Sequence, residues 1–312
     1  MRSSLLLVLL LAALPLLAQE SPAKGPPDPQ EPAGTLKVDV KLVNVFVTVT
    51  DKAGAPVAGL GKQNFRLFED GEPESIAVFD RESELPLSIV MAVDTSLSTK
   101  RDLKLELVAA RKFAHSIVRP VDGLALYQFN EVVEELVPFT SSLAQIDRGI
   151  DRVHGGSATA MYDAVFLGSR ALAARRGRKV MVVITDGGDT ISQTRYSDAL
   201  REAQQAEAIV YSIIVVPVAA SAGRDLGGEH ALIQLSRDTG GKYYYAEGLD
   251  QLQHVFEQIG EELRTQYLLA YYPSRHLTDS DFRRITVEVA APDPQRELTP
   301  RYRSGYYTSK SH

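Results

Sequence analysis

Leu87-Ser-Ile-Val-Met-Ala-Val-Asp94 and Lys179-Val-Met-Val-Val-Ile-Thr-Asp186 share one design, an apolar run that ends in an aspartate. A run with almost no polar alternation marks a strand buried on both faces, the situation of a parallel sheet covered by helices on each side. What lies around the two runs agrees. Leu103, Leu107, Ala110, Phe113, Ala114 and Ile117 stand at helical spacing after the first run. GLALYQFN (123–130) reads as a second strand and VEELVPF as its short edge partner. Helices are predicted over 146–153, 160–174, about 197–206, around Leu232 and over 249–263. Strands are predicted at AIVYSIIVV and KYYYA. Such alternation predicts an α/β domain over 86–264, with a Rossmann-like, doubly wound and mostly parallel sheet.

On both sides of this region the period changes to two. Val43, Val45, Val47 and Val49 alternate with other residues, out of phase with Leu36, Val38, Val40 and Leu42 before them. A slip of phase inside a strand run predicts a bulge or a change of strand. NFRLFEDGEPESIAVF reads as a hairpin around Asp70-Gly71. After residue 265, QYLLAYY, RITVEV and the Tyr-rich end from Arg301 to Tyr307 supply about three more strands. About four strands at 35–85 and three at 265–308 are each few for a sandwich, but together they suffice. The expectation is one discontinuous Ig-like β-sandwich, built from N- and C-terminal strands, into which the α/β domain is inserted. Two independent small β modules are the alternative.

The first 18 residues, MRSSLLLVLLLAALPLLA, have a basic start, an apolar centre and a small residue at Ala18. They read as a secretory signal peptide cut near Ala18. The apolar run is short for an uncleaved membrane anchor, which needs roughly 20 residues. Residues 19–34, QESPAKGPPDPQEPAG, are rich in proline and read as an extended linker. The expected location is therefore secreted or periplasmic, with no membrane span after cleavage. The chain has no Cys, which excludes disulfide frameworks, thiol catalysis and Cys-ligated metals. Its 34 Lys and Arg against 40 Asp and Glu, a net charge of -6, argue against a general grip on nucleic acid.

Three short motifs fall where loops leave the C-terminal ends of predicted sheet strands, the edge where open α/β sheets bind ligands. They are Asp94-Thr95-Ser96-Leu97-Ser98, the GGSATAMYD stretch from Gly155 to Asp163, and Asp186-Gly187-Gly188-Asp189. Asp94, Ser96 and Ser98 are spaced so that their oxygens can converge from one turn. Thr159 can add a hydroxyl from a neighbouring loop, and Asp186 ends the adjacent strand. Carboxylate and hydroxyl oxygens are hard ligands that suit Mg²⁺ or Mn²⁺. Each piece also has a bland reading: Asp and Ser after a strand cap helices, and Asp-Gly is an ordinary turn. The coincidence of all three, in order and each at a strand end, favours a metal site.

The region from about Leu87 to Leu263 resembles a von Willebrand factor type A domain. DTSLS resembles that family's DxSxS metal-ion-dependent adhesion site, Thr159 its isolated threonine and Asp186 its final aspartate. The flanking VTVTDKAGAPVAGLGKQNFRLFEDGEP, the TAMYDAV helix start and the ending QYLLAYYP, ITVEV and GYY resemble bacterial, acidobacterial-type proteins related to that family. The resemblance implies an ion ligated mainly by the hydroxyls of Ser96, Ser98 and Thr159, with Asp94 and Asp186 acting directly or through water. Ser157 competes with Thr159 for the same role. Asp163 is a candidate to orient Thr159, or else simply an acid in the first turn of a helix. Asp189 reads as a turn residue and His154 as an exposed loop residue.

The function so implied is a cation-dependent, adhesion-type protein-binding module, not an enzyme, whose ion accepts an Asp or Glu carboxylate from a partner protein. One alternative is a structural cell-envelope protein whose sandwich makes the contacts while the metal only orders loops. A remote one is a metal-assisted phosphoesterase with Asp94 as nucleophile, but the three motifs contain no Lys, Arg or His to serve a phosphoryl group.

Overall fold

Val43, Val45, Val47 and Val49 all point inward along strand β1 (Val43–Asp51), as their alternation requires. The computed structural model describes residues 42–81, 85–97, 103–216, 226–275, 282–293 and 295–308. The expected signal peptide, the Pro-rich linker, the alternating stretch from Leu36 to Val40 and Ser98 lie outside the described residues.

Beyond β1 the chain makes β2 (Phe65–Glu69), β3 (Glu72–Glu74) and β4 (Ile76–Arg81). The single hairpin expected over NFRLFEDGEPESIAVF is therefore split. β2 and β3 pair across a two-residue turn in which Asp70 (φ 50°) and Gly71 (φ 90°) both take left-handed backbone, the geometry that lets a tight hairpin follow the strand twist. Pro73 has no N–H to offer a further neighbour, so β3 stays short and at an edge. After Ser75 the chain crosses to the other sheet, where β4 pairs elsewhere.

The α/β region follows: β5 (Leu87–Asp94), α1 (Leu103–Ile117), β6 (Gly123–Phe129), β7 (Val133–Thr140), α2 (Leu143–Ile150) and α3 (Met161–Ala173). Then come β8 (Arg178–Thr185), α4 (Tyr196–Gln205), β9 (Ala208–Val215), α5 (Leu226–Thr239), β10 (Tyr243–Ala246) and α6 (Leu249–Thr265). The sheet order is β10-β9-β8-β5-β6-β7, parallel except for the antiparallel edge strand β7. Every residue of β5 is buried. Leu87, Ile89, Met91 and Val93 pack into a core with α1, α2 and α6. Val90 and Ala92 pack into a second core with α3, α4 and α5. The unbroken apolar run is thus accounted for by two covered faces. Phe113 of α1 stacks on Phe256 of α6 with ring centroids 4.6 Å apart, joining helices distant in sequence. Among the described residues no helix is long and apolar enough to cross a membrane.

After α6 the chain adds β11 (Tyr267–Tyr271), β12 (Phe282–Val289), β13 (Leu298–Arg301) and β14 (Gly305–Tyr307). The Tyr-rich end expected as one strand makes two, because Tyr302 to Ser304 turn the chain from one sheet to the other. Two antiparallel sheets result, ordered β13-β1-β11-β4 and β14-β12-β2-β3. β11 lies between β1 and β4, and β12 pairs with both β2 and β14. Inward side chains of both sheets share one core that includes Val45, Val47, Phe65, Leu67, Leu269 and Val287. Between the sheets, Glu69 and Arg283 are 1% exposed each. They form an ion pair at 2.5 Å, and Tyr271 and Tyr306 donate their hydroxyls to the same carboxylate at 2.7 and 2.8 Å.

The α/β layer and the sandwich touch closely. Gly240, just after α5, has φ +82°, and a Cβ there would stand 2.6 Å from the Arg303 nitrogen. Glycine is required on both counts. Arg301 of β13 pairs with buried Glu262 of α6, and Arg303 pairs with Glu207, between α4 and β9, at 3.5 Å.

Candidate metal centre

β5 lies at the centre of the sheet with β8 on one side and β6 on the other. The chain winds outward from β5 in both directions, so the C-terminal ends of β5 and β8 flank the point where strand order reverses. Crevices of open α/β sheets form at such a point. Asp94 closes β5 and is 0% exposed. Its Oδ1 accepts the Ser96 N–H at 2.9 Å, and its Oδ2 accepts the Thr185 hydroxyl at 2.6 Å. Burial pushes the Asp94 carboxyl up to about 6, the hydrogen bonds from Thr185 and Ser96 oppose the rise, and the neighbouring Asp186 charge adds to it.

Backbone hydrogen bonds hold the surrounding loops to this strand end. Thr95 N–H donates to the Phe129 carbonyl at 2.9 Å, and Gly156 N–H to the Thr95 carbonyl at 2.7 Å. Asn130, at the end of β6, donates its side-chain amide to the Thr95 hydroxyl at 3.0 Å and accepts the Ala160 N–H on its carbonyl at 2.7 Å. A Cβ on Gly156 would stand 2.4 Å from Asn130 Cβ, so only glycine lets the loop come this close. Thr159 and Thr190 are bonded reciprocally: Thr159 N–H donates to Thr190 Oγ1 at 2.9 Å, and Thr190 N–H to the Thr159 carbonyl at 2.8 Å. The loop before α3 is thereby tied to the loop after β5 and to the loop after β8.

Ser96 and Thr159 are buried, 3% and 6% exposed. Asp186 is half-buried next to Thr185. Ser157 is exposed, and its N–H donates to Glu131 Oε2 at 2.7 Å. Asp163 stands in the first turn of α3, the second of its two expected readings. Instead of a bond to Thr159, its two oxygens accept the Thr194 and Gln193 N–H groups at 2.9 and 3.1 Å. Burial raises this carboxyl, but those bonds outweigh it and hold it below the ordinary carboxylate range. The reason lies in α3, whose first turn aims Asp163 across at the loop after β8. Asp189 completes that junction by accepting the Tyr162 N–H at 3.1 Å. His154 is exposed, with its ring near Gln128 and Glu134.

Reading the sequence alone missed Asn130, Glu131, Thr185 and Thr190. A signal existed for two of them: Asn130 follows an apolar strand as Asp94 ends one, and Thr185 is a polar residue closing another. Two carboxylates, one of them fully buried, and two buried hydroxyls are hard oxygen donors of the kind that fit a divalent cation. Among the described residues no group of three or more His, Cys, Asp or Glu gathers to hold a metal. Any ion here would rest on a mixed set of carboxylate and hydroxyl oxygens.

Residues 89–188 match the family model described as von Willebrand factor type A domain. This part of the chain is a domain of that family, and the mixed sheet with helices on both faces is its Rossmann-like fold. Among solved structures the chain is similar to proximal thread matrix protein 1 from the mussel byssus, with 16% identity and a TM-score of 0.50, over 62% of this chain and 49% of that one. BatB from Bacteroides thetaiotaomicron matches with 17% identity and a TM-score of 0.46, over 57% of this chain and 100% of that one. The vWF domain of the type V pili tip protein Mfa5 from Porphyromonas gingivalis matches with 13% identity and a TM-score of 0.46, over 57% and 94%. At such identities the likeness is one of fold. One structure of the mussel protein has zinc in its MIDAS motif. No curated protein matches the chain.

Proposed function

We propose that this protein is an exported, cation-dependent protein-binding module and not an enzyme. Asp94, Ser96, Thr159 and Asp186 would hold one divalent ion, Mg²⁺ or Mn²⁺, with Ser98 as a further donor outside the described residues. When bound, such an ion supplies an electrophilic centre with a position open to an Asp or Glu carboxylate of a partner protein. The chain's own residues do the rest. Thr185 and the Ser96 N–H fix the Asp94 carboxylate in one orientation. The paired Thr159 and Thr190 fix the third loop. With few full charges around it, the ion keeps its attraction for an incoming anion.

The single observation that carries this reading is the fully buried Asp94 carboxylate beside Asp186. Burial, with the Asp186 charge adding to it, opposes ionisation of Asp94, and a cation bound there would relieve both. His154, beside the loop, turns its ring to Gln128 and Glu134. A cut near Ala18 would release the protein to the periplasm or the medium.

Isothermal titration with Mg²⁺ and with Mn²⁺ on the wild type and on Asp94→Ala tests the metal step. The reading expects saturable heat from the wild type alone. Equal heats from both proteins overturn it.

A further inference from the structure

Two hydroxyls stand two residues apart in the loop before α3, Ser157 and Thr159, and residue type alone does not choose between them. The fold treats them differently. Thr159 is buried and Ser157 exposed. The neighbouring loops take four N–H groups of this short stretch. Gly156 donates to the Thr95 carbonyl and Ala160 to the Asn130 carbonyl, both at 2.7 Å, and Thr159 donates to Thr190 Oγ1 at 2.9 Å. The fourth acceptor is a charged side chain: the Ser157 N–H meets Oε2 of Glu131 at 2.7 Å.

Glu131 is exposed and could keep its carboxylate wholly in water. It turns instead to this loop, and a hydrogen bond to an ionised acceptor is about twice as strong as one between neutral groups. The Ser157 N–H, foremost, holds the Glu131 carboxyl below the ordinary range, and the Ser157 hydroxyl and the Ala158 N–H act in the same direction. One carboxylate thus engages both the backbone and the side chain of Ser157. The approach depends on Gly156, where a Cβ would stand 2.5 Å from Glu131 Oε2. Asn130 lies equally close to the same glycine, so Asn130 and Glu131 press together on one point of the loop.

We infer that Glu131 is a positioning residue of the candidate metal centre, holding Ser157 outward so that Thr159 is the hydroxyl the loop presents to an ion. This inference rests on the cation reading above and deepens it by assigning which of two donors the site uses. Glu131 acts through the loop and not on the ion. Freed from it, residues 157 and 158 would lose an anchor, while Gly156, Thr159 and Ala160 keep theirs. The loop would then stay attached but could turn either hydroxyl inward, and an ion would meet a less ordered set of donors.

The test uses the full chain and two substitutions of one residue. Glu131→Ala removes the acceptor, whereas Glu131→Gln keeps an acceptor oxygen and removes the charge. In Mg²⁺ calorimetry the Ala variant should bind about tenfold or more weakly than wild type, the loss expected when a group that orients a ligand is removed. The Gln variant should stay within about threefold of wild type. Thr159→Ala should abolish the heat, and Ser157→Ala should leave it close to that of wild type. In the metal-free protein the Ser157 amide should exchange with solvent about tenfold or more faster in Glu131→Ala, while the urea midpoint, set by the core, stays unchanged. A Glu131→Ala protein that binds Mg²⁺ as tightly as wild type overturns the inference and spares the ion. So does a Glu131→Gln protein that loses as much as Glu131→Ala, since charge and not the anchor would then be at work. Wild type that gives no Mg²⁺ heat overturns the cation reading and this assignment together.

Discussion

Thr185, closing β8, donates its hydroxyl to the Oδ2 of Asp94, closing β5, at 2.6 Å with both residues 0% exposed. This bond joins the two strands between which the sheet reverses its winding. It also opposes the upward push that burial gives the Asp94 carboxyl.

Replacing Thr185 by Val keeps the shape and removes that donor. A hydrogen bond to a charged group contributes roughly 1.5–3 kcal/mol. Mg²⁺ affinity near neutral pH should fall by about tenfold or more, read by calorimetry, while circular dichroism shows the fold retained.

With its carboxyl pushed from 3.8 up to about 6, Asp94 binds its proton more tightly in the native state than in the unfolded chain. Stability of the metal-free protein should therefore be greatest below pH 4 as far as this group is concerned, and decline as pH rises through 6. The loss attributable to Asp94 reaches about 3 kcal/mol. Urea melts in chelator at several pH values, on wild type and Asp94→Asn, should show the decline in the wild type alone. Mg²⁺ should reverse the wild-type loss, and its affinity should weaken about tenfold for each pH unit below 6.

Removing Arg283 strands the buried Glu69 carboxylate between the sandwich sheets, facing the neutral hydroxyls of Tyr271 and Tyr306. Arg283→Met should cost about 3–5 kcal/mol, the usual penalty for breaking a buried pair from one side. The double variant Glu69→Met, Arg283→Met should recover much of that loss in the same denaturation assay.

Gly240→Ala places a methyl 2.6 Å from the Arg303 nitrogen at a backbone φ of +82°. Strain of about 1–3 kcal/mol is expected, and it should appear as a lower midpoint of unfolding.

Much of the architecture could be read in advance because burial leaves a periodic trace. LSIVMAVD and KVMVVITD announce covered strands, since both of their faces must be apolar, and the Val43 to Val49 alternation announces a half-covered one. What escaped was set by partners distant in the chain. The crossing after Ser75 depends on β11 offering β4 an edge nearly 200 residues on, and nothing in SIAVF records that. At the site, Asp94, Ser96 and Thr159 could be singled out by residue type. The links that hold the loops together run mainly through backbone groups, which leave no motif. Asp163 shows the limit from the other side. Its residue type suits either proposed role, and only the path of the loop after β8 decides which N–H groups reach it.

β11 lies between β1 and β4, with Val43 opposite Tyr271 and Arg81 opposite Tyr267. A nascent chain must therefore wait for the last sixth of its length before the first strands can find their neighbour. Until then β1 and β4 remain sticky edges, liable to aggregate or to capture the wrong strand. Contacts of such long range slow closure of the fold. A fragment ending with α6 would inherit the hazard permanently, and expression of this protein in pieces should trim both flanks together or neither.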